Sequence, residues 1–344
     1  MVWDRNWGCR VEIDSELRGW PAVVLQNRFL RVSILSGRGC DIVEMLYKPL
    51  DVDIAPRTQR GLRSRESVRA TPWSSDGSFY NNYEGGWQEI APYGGPPGVF
   101  RGASFPQHGE STQLPWDVTL VDDRPESVEI VASVRLSIMP FRFTKRFRLT
   151  ESSASLEMVS ELTNESDIEL PVMWGNHFVF GGPTFGPGST IHMPPGTTYF
   201  AHDNDEVFTL GRRSDGEPGT WPMMSSPDSI PIDMSIFPPK GSPTDLHYLN
   251  PTEGRYSVVS ADDQVRVSVE WDLTVQPYLW FWQQFGAWTH YPWWGSEYLV
   301  GIEPWTSAPG SGLGDERVEK NSPRIRPGET RTTRSVVTIE QEKK

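Results

Sequence analysis

The chain has 344 residues, and its 32 Lys and Arg stand against 45 Asp and Glu, which gives a formal net charge of −13. This acidity disfavours the sequence-independent attraction to nucleic acid or anionic lipid that basic proteins show, so we expect no nucleic acid and no membrane as partners. The 15 Trp, 31 Gly and 30 Pro indicate many short segments separated by turns, which favours β-structure over helix.

The first residues lack a basic stretch followed by an apolar one, and no window approaches the ~18 uncharged apolar residues of a membrane span. We therefore expect a soluble, cytoplasmic protein. Only two cysteines occur, Cys9 and Cys40, which are too few for a disulfide framework and lack the clustered spacing of a zinc site. This agrees with a reducing compartment, and it predicts that no metal is bound.

Alternation of apolar and polar residues predicts strands along most of the chain. Residues 27–46 alternate on both sides of Gly37-Arg38-Gly39, which is typical of a hairpin. Further alternating segments follow at residues 117–121, 127–136, 141–149, 155–162 and 327–339, and strands also return within 255–303. No amphipathic helix of ~12 or more residues is evident. The sequence therefore predicts one all-β domain, a large β-sandwich over residues 1–344.

A long loop separates the first strands from the others. Residues 52–80 are charged and irregular, and the stretch from Tyr80 to Gly98 contains prolines and glycines that forbid helix or central strand. Long ordered loops in compact domains are usually functional. This loop leads directly into Phe105-Pro-Gln-His108-Gly-Glu110, which makes His108 a candidate site residue.

Two titratable side chains stand alone in apolar segments. His177 lies in the strand-like run from Leu170 to Phe180, and Glu303 ends the run from Tyr298, where Pro304 favours extended geometry. A histidine held by a strand can donate or accept a proton near neutral pH. On this run alone, a core histidine bonded to backbone is the plainer interpretation. A carboxylate in an apolar strand needs a partner, because burial of an unpaired charge is costly.

Aromatic residues concentrate between Tyr278 and Trp294. They occupy both odd and even positions and so both faces of a strand, and Gln283, Gln284 and His290 lie among them. We therefore expect this run, including Trp282, to line a ligand cleft. An indole ring presents an apolar face and a polar edge, which suits it to stack on a sugar ring and bond its hydroxyls. The pattern favours a small-molecule carbohydrate as the partner.

The order of these parts resembles the galactose mutarotase (aldose 1-epimerase) superfamily, a large group of β-sandwich proteins that act on sugars. The likeness covers roughly residues 25–340 and is closest to divergent bacterial members. It is carried by four short pieces: the Gly-Arg-Gly turn ending in Asp41-Ile42, the His108-Gly109 pair, the Asn176-His177-Phe178 strand, and Gly301-Ile302-Glu303-Pro304.

The resemblance implies roles for the residues that match. The catalytic acid of the family corresponds to His177, its base to Glu303, and its substrate-binding histidine to His108. Asp245, in Thr244-Asp-Leu-His247, is a weaker match to a ligand-binding aspartate. In the acid–base chemistry that this implies, the two groups lie on opposite sides of a sugar ring. Glu303 takes the proton of the C1 hydroxyl while His177 protonates the ring oxygen, so that the hemiacetal opens, rotates about C1–C2 and closes as the other anomer. No cofactor is needed.

The chain also departs from the family pattern. Mutarotases usually carry an Asn-Arg pair shortly before the first histidine, and this chain has Glu84-Gly-Gly-Trp-Gln88 there. Glu84 and Gln88 are therefore candidate substrate contacts, and Arg38 or Arg101 is a candidate for the missing cation.

Two other functions stay open at this point. A hydrolase or lyase acting on sugars is one, and hydrolysis would require a second carboxylate, such as Glu84 or Glu89, ~5–10 Å from Glu303. A non-catalytic carbohydrate-binding protein that retains the cleft is the other.

Overall fold

The computed structural model describes residues 7–70, 77–202, 218–225 and 230–342. Regular structure in these residues is almost entirely β, which confirms the predicted all-β fold. The helices of the described residues are short: α1 (Arg65–Ala70), α2 (Gly77–Tyr80) and α3 (Glu316–Asn321). None of them has the length and apolar character that crossing a bilayer requires.

The strands are numbered along the chain. The first fourteen are β1 (Arg10–Leu17), β2 (Trp20–Gln26), β3 (Leu30–Leu35), β4 (Asp41–Tyr47), β5 (Val52–Asp53), β6 (Gln88–Ile90), β7 (Gly98–Phe100), β8 (Ala103–Phe105), β9 (Asp117–Asp123), β10 (Ser127–Arg135), β11 (Phe141–Thr150), β12 (Ser155–Asn164), β13 (Leu170–Pro171) and β14 (Gly175–His177). The others are β15 (Val179–Gly181), β16 (Thr190–His192), β17 (Thr198–Ala201), β18 (Gly219–Thr220), β19 (Met223–Ser225), β20 (Pro231–Asp233), β21 (Asp245–Asn250), β22 (Arg255–Val259), β23 (Val265–Trp271), β24 (Tyr278–Gln284), β25 (Leu299–Trp305), β26 (Arg324–Ile325) and β27 (Thr330–Gln341).

Strands β1 to β5 form an antiparallel N-terminal sheet in sequence order. The predicted hairpin is present as β3 and β4, with Leu35 opposite Asp41. Gly39 in the turn has a φ of +69°, a conformation that glycine adopts without the steric cost of a Cβ. The long loop that follows contains α1, α2 and β6 to β8, and its residues 71–76 lie outside the described part of the chain.

An outer sheet of eight strands has the order β16-β22-β23-β27-β12-β11-β10-β9. It contains the four predicted strands between residues 117 and 164 and the predicted strand near the end. In β11 the buried positions alternate with exposed ones, so Phe141, Phe143 and Phe147 face the core while Arg142 and Arg146 face solvent. Burial of such a phenylalanine contributes about 1.5–3 kcal/mol.

The third large sheet, called the site sheet below, has the order β18-β17-β21-β24-β25-β14-β6, and β15 also pairs with β25. One cluster of buried apolar residues contains side chains of all three sheets, among them Val32, Phe143 and Ile302. The sheets therefore share a core, and the opposite face of the site sheet is left to line a cavity.

The run from Leu170 to Phe180 is three short strands rather than the single strand predicted. β13 pairs with β26, β14 pairs mainly with β6, and β15 pairs with β25. Between β14 and β15 the Phe178 N–H donates to the Asn176 carbonyl at 2.9 Å, which makes a tight local turn. His177 therefore lies at a break in the sheet and not within a regular strand.

Candidate functional site

A cavity of about 500 Å³ lies over the site sheet. Its floor comes from β14, β21, β24 and β25, and its walls come from the loops around residues 79–83, 95–108, 288–293 and 310–311. This volume lies within the ~300–1,000 Å³ of pockets that enclose a small organic ligand.

Two glycines create the space for the polar groups of the floor. A Cβ on Gly301 would lie 2.2 Å from Oε1 of Glu303, and one on Gly175 would lie 2.1 Å from the indole of Trp305. Any larger residue at either position would displace the carboxylate or the indole beside it. Trp305 stacks on Trp280 with ring centroids 3.9 Å apart, which fixes the indole that contacts the carboxylate.

The cavity floor brings together His177 and Glu303. Nε2 of His177 lies 3.5 Å from Oε1 of Glu303, and the side chains are 7% and 2% exposed. Oε2 of Glu303 accepts a hydrogen bond of 3.0 Å from Nε1–H of Trp305. The carboxyl group is thus held by the indole on one oxygen and faces the imidazole with the other.

Desolvation shifts the two groups in opposite directions. Burial raises the pKa of Glu303 to about 8, and the hydrogen bond from Trp305 opposes this only in part. Burial lowers the pKa of His177 to about 4. Both shifts have the same cause, since a water-poor environment disfavours the charged form of either group. Between these pKa values the pair carries one transferable proton, held by Glu303.

His108 lies beside this pair. Its ring is 5.7 Å from that of His177, and its Nδ1 accepts a hydrogen bond of 3.2 Å from the Gly95 N–H, which leaves the proton of the neutral ring on Nε2. Desolvation and the nearby His177 hold the pKa of His108 well below its usual value. A neutral imidazole with a fixed tautomer is a hydrogen-bond donor of defined position.

Part of the aromatic run between Tyr278 and Trp294 lines this cavity. Trp282 lies between the floor and the wall, with its ring 6.1 Å from His177 and 5.6 Å from Trp293. Others of the run belong to the core, including Phe281 and Phe285. The lining members are Trp280, Trp282, Trp288, Tyr291, Pro292 and Trp293.

Arg38, Glu84 and Gln88 do not line the cavity. Arg38 forms a buried ion pair with Glu84 and also donates to the Asn82 carbonyl, so each charge already has a partner. Gln88 donates to the Gly85 carbonyl at 2.8 Å. The prediction that these residues contact a ligand does not fit this arrangement, because their polar groups support the loop that contains Tyr83. Arg101, the other candidate cation, is on the surface, 3.7 Å from Glu319.

Asp245 and Gln284 also lie outside the lining. Asp245 is fully buried, and its Oδ1 accepts from the Leu246 N–H, while the preceding Thr244 lines the cavity. Gln284 lies behind Thr244 and accepts a hydrogen bond of 3.0 Å from its hydroxyl. The residue that the resemblance favoured is therefore one position away from the one that faces the cavity.

Glu89 faces away from the cavity. Its carboxyl group accepts hydrogen bonds from Trp174 at 2.8 Å and from Ser160 at 2.7 Å, between the sheets. Glu303 is the sole carboxylate among the described residues that line the cavity. The second carboxylate that hydrolysis requires is therefore not supplied by Glu84 or Glu89.

The sequence pattern did not identify several of the residues that line the cavity. Tyr83 is 3% exposed, and its hydroxyl has no hydrogen-bond partner within the described part of the chain. Nδ1 of His202 lies 2.5 Å from the Tyr248 hydroxyl, which in turn accepts from the Gly310 N–H. The others are Phe79, Tyr80, Gly95, Pro96, Gln107, Thr244, Leu246, Gly310 and Ser311. Most belong to loops, where side-chain direction follows no periodicity.

The described residues contain no group of three His, Cys, Asp or Glu side chains arranged to hold a metal ion. The side chains of His108, His177 and Glu303 offer hydrogen bonding and proton transfer beside a wall of aromatic rings.

Residues 17–339 match the model of a protein family described as "Domain of unknown function (DUF4432)". No curated protein sequence matches the chain significantly.

Solved structures similar to this chain come from several bacteria. A candidate aldose 1-epimerase from Klebsiella pneumoniae has a TM-score of 0.73 at 15% identity, with 96% of this chain and 83% of that chain covered. A galactose mutarotase-like protein from Clostridium acetobutylicum gives 0.66 at 14% identity, covering 97% and 99%. A galactose mutarotase-related enzyme from Lactobacillus acidophilus gives 0.61 at 15% identity, covering 94% and 100%. At these identities the likeness establishes the galactose mutarotase-like fold.

Proposed function

This chain belongs to the DUF4432 family, and we propose that it is a sugar isomerase that interconverts the anomers of an aldose by acid–base catalysis. His177 and Glu303 are the proposed catalytic residues, and His108 is a proposed substrate contact. The fold alone does not select this function, because one fold supports many activities. The argument depends on the floor of the cavity.

The observation that carries the proposal is the 3.5 Å separation of the buried His177 Nε2 and Glu303 Oε1 at the base of the cavity. The ring oxygen and the anomeric hydroxyl of an aldose are bonded to the same carbon, so a catalyst must address two adjacent oxygens. Two groups on opposite sides of the ring, as first expected, would not be neighbours. An adjacent pair matches two oxygens of one carbon.

The protonation of the pair defines the steps. Glu303, with its raised pKa, donates a proton to the ring oxygen while Nε2 of His177 accepts the proton of the C1 hydroxyl. The bond between C1 and the ring oxygen breaks, and an open-chain aldehyde forms. After rotation about C1–C2, the C5 hydroxyl oxygen attacks C1 while the Glu303 carboxylate takes the proton of that hydroxyl. The His177 imidazolium protonates the carbonyl oxygen, which becomes the C1 hydroxyl of the other anomer.

The resemblance implies the reverse assignment, with His177 as the acid and Glu303 as the base. Both assignments use the same single proton, and they differ only in which member of the pair holds it when the sugar binds. Coupled groups of this kind titrate as a unit. Burial in the empty cavity favours the form in which both groups are neutral.

The surroundings of the pair support a sugar as the substrate. Trp282 presents its ring beside His177, where it can stack on the apolar face of a pyranose. Polar lining groups of Gln107, Thr244 and His202 can bond hydroxyls. A binding protein without catalysis would need the aromatic wall but not a proton-sharing pair with opposed pKa shifts, and the presence of that pair favours an enzyme.

The test is anomer exchange measured by NMR on a panel of aldoses. His177→Asn and Glu303→Gln keep the shape of each side chain and remove proton transfer, so each should slow exchange by ~10²-fold or more with little loss of sugar affinity. The double variant should be barely slower than either single variant, because groups that act as a unit are not additive.

Matched controls are His192→Asn, on the outer sheet, and Glu316→Gln, on α3, which are both exposed and do not line the cavity. They should exchange at the wild-type rate. Exchange at the wild-type rate in His177→Asn or Glu303→Gln would show that the pair is not catalytic.

A further inference from the structure

We propose that the site accepts a neutral disaccharide at its reducing end, with the second sugar ring bound in an aromatic subsite at the cavity rim. This rests on the proposed function, since it places the reacting ring over His177 and Glu303. The rim subsite consists of Tyr80, Trp288, Tyr291 and Trp293, which all line the same cavity as the catalytic pair.

A continuous series of aromatic rings leads from the pair to the rim. His177 lies 6.1 Å from Trp282, which lies 5.6 Å from Trp293. Trp293 lies 6.0 Å from Tyr80, and Tyr80 lies 6.1 Å from Tyr291. A single sugar ring bound at the floor would lie beside His177 and Trp282, the first two rings of this series. The later steps lead through Trp293 and Tyr80 to Tyr291, and the proposal assigns these rings to the second sugar ring.

Exposure is greatest at the far end of this series, at Tyr291. His177 is 6% exposed and Trp293 is 9% exposed, whereas Tyr291 is 38% exposed. A single pyranose can be enclosed at the floor, which leaves Tyr291 and the partly exposed rings of Tyr80 and Trp288 facing solvent. Large aromatic side chains that line a cavity mouth are a common feature of sites that bind an amphipathic partner. A second pyranose would cover them with its apolar face.

The rim is held in place by the protein. Nε1–H of Trp288 donates to the Tyr291 carbonyl at 2.9 Å, and the Gly295 N–H donates to the Trp288 carbonyl at 2.7 Å. Arg60 donates to the Tyr80 carbonyl at 2.8 Å and also to the Pro292 carbonyl, so one guanidinium joins the two loops of the rim. A surface fixed before binding loses little freedom when the ligand arrives.

The experiment compares glucose with maltose, cellobiose and lactose, which all carry glucose as the reducing ring. NMR exchange rates give kcat/KM for each sugar with an identical reacting ring. We expect at least one disaccharide to exceed glucose by tenfold or more. Trp288→Ala and Tyr291→Ala should each lower this ratio toward one.

Trp294→Ala is the matched control, since Trp294 is 65% exposed and does not line the cavity. It should keep the wild-type ratio. Equal kcat/KM for glucose and all three disaccharides in the wild-type protein would overturn the subsite and leave the proposed function standing.

A binding measurement separates the subsite from catalysis. Tryptophan fluorescence titration of Glu303→Gln with the same four sugars reports affinity without turnover. Tenfold tighter binding of a disaccharide than of glucose supports the subsite even if no sugar is isomerised, in which case the proposed function alone fails. Equal affinity for glucose and the disaccharides refutes the subsite whatever the exchange rates are.

Discussion

At the scale of single residues, the site depends on burial more than on ion pairing. His177 and Glu303 approach within 3.5 Å, yet the dominant cause of each pKa shift is desolvation and not attraction between opposite charges. The lowered pKa of His108 has the same origin. The floor therefore presents neutral donors and acceptors, which suits a neutral substrate and a reaction in which protons move but no net charge enters the cavity.

The pH dependence of kcat/KM follows from these shifts. Exchange requires one proton on the pair, so the rate should be level between the pKa of His177, about 4, and that of Glu303, about 8. Below this window both groups hold a proton and the base is lost, whereas above it the acid is lost. NMR exchange rates, corrected for the spontaneous reaction, measure the profile. If kcat/KM instead changed only once with pH, near pH 6.5, the profile would indicate a single histidine with an ordinary pKa acting alone.

Tyr83 offers a second test at this scale. Its hydroxyl is buried without a hydrogen-bond partner in the described residues, and burial followed by the charge of Glu303 raises its pKa well above the usual value. Tyr83→Phe removes a polar group that the empty protein leaves unsatisfied, so the free energy of unfolding should be unchanged or higher.

Tyr83 lines the cavity with its ring 5.7 Å from that of His177, and we expect the loss of its hydroxyl to lower kcat/KM by ~10-fold. Chemical denaturation and NMR exchange on one preparation give both quantities. Loss of stability together with full activity would show that Tyr83 has a structural role only.

At the scale of elements, the alternation of apolar and polar residues predicts the strands that have one solvent-exposed face. β11 alternates between core and solvent, and its limits follow from the sequence. β25 is buried at all seven positions and β21 at five of six, so neither shows which side chains face the cavity. Periodicity therefore marks Glu303 only as a lone carboxylate in an apolar run, and its role and the choice of Asp245 came from the resemblance.

Loops were harder still to interpret from sequence. The Asn-Arg pair of mutarotases is absent here, and no pattern shows that Phe79 and Tyr83 occupy the space beside His177. Their placement depends on α2 and on contacts distant in the sequence. Arg38, from the hairpin turn of the N-terminal sheet, reaches this loop through Glu84 and the Asn82 carbonyl.

Arg38→Met should therefore loosen the loop rather than remove a ligand contact. The variant leaves Glu84 buried without its cation, which costs about 3–5 kcal/mol by analogy with other broken buried pairs. Exchange activity should fall because Tyr83 lies between the two anchored residues. The double variant Arg38→Met, Glu84→Gln should recover part of the stability, since no uncompensated charge remains. If both variants match the wild type in denaturation and in exchange, the ion pair does not support the site.

At the scale of the whole molecule, three sheets must hold one cavity in shape, and a single buried lysine connects them. Lys145 is on β11 of the outer sheet and is 1% exposed. Its Nζ donates to the Gly39 carbonyl in the N-terminal sheet at 3.1 Å and to the Glu89 carbonyl in the site sheet at 3.4 Å. The ammonium also lies 4.5 Å from the ring centroid of Trp116, a favourable cation–π contact.

Lys145→Met keeps most of the length of the side chain and removes its charge, and we expect the free energy of unfolding to fall by about 3–5 kcal/mol. Two buried carbonyls lose a donor, and the Glu89 carboxyl loses the cation that opposes the rise in its pKa. Because an ionised Glu89 is then uncompensated, the loss should be larger at high pH than at low pH. The double variant Lys145→Met, Glu89→Gln should lose less stability than Lys145→Met and show a weaker dependence on pH.

Arg148→Met, on the solvent face of the same strand, is the control, and its free energy of unfolding should stay within ~0.5 kcal/mol of the wild type. Urea denaturation at two pH values decides the matter: if Lys145→Met is as stable as Arg148→Met, apolar packing alone joins the three sheets.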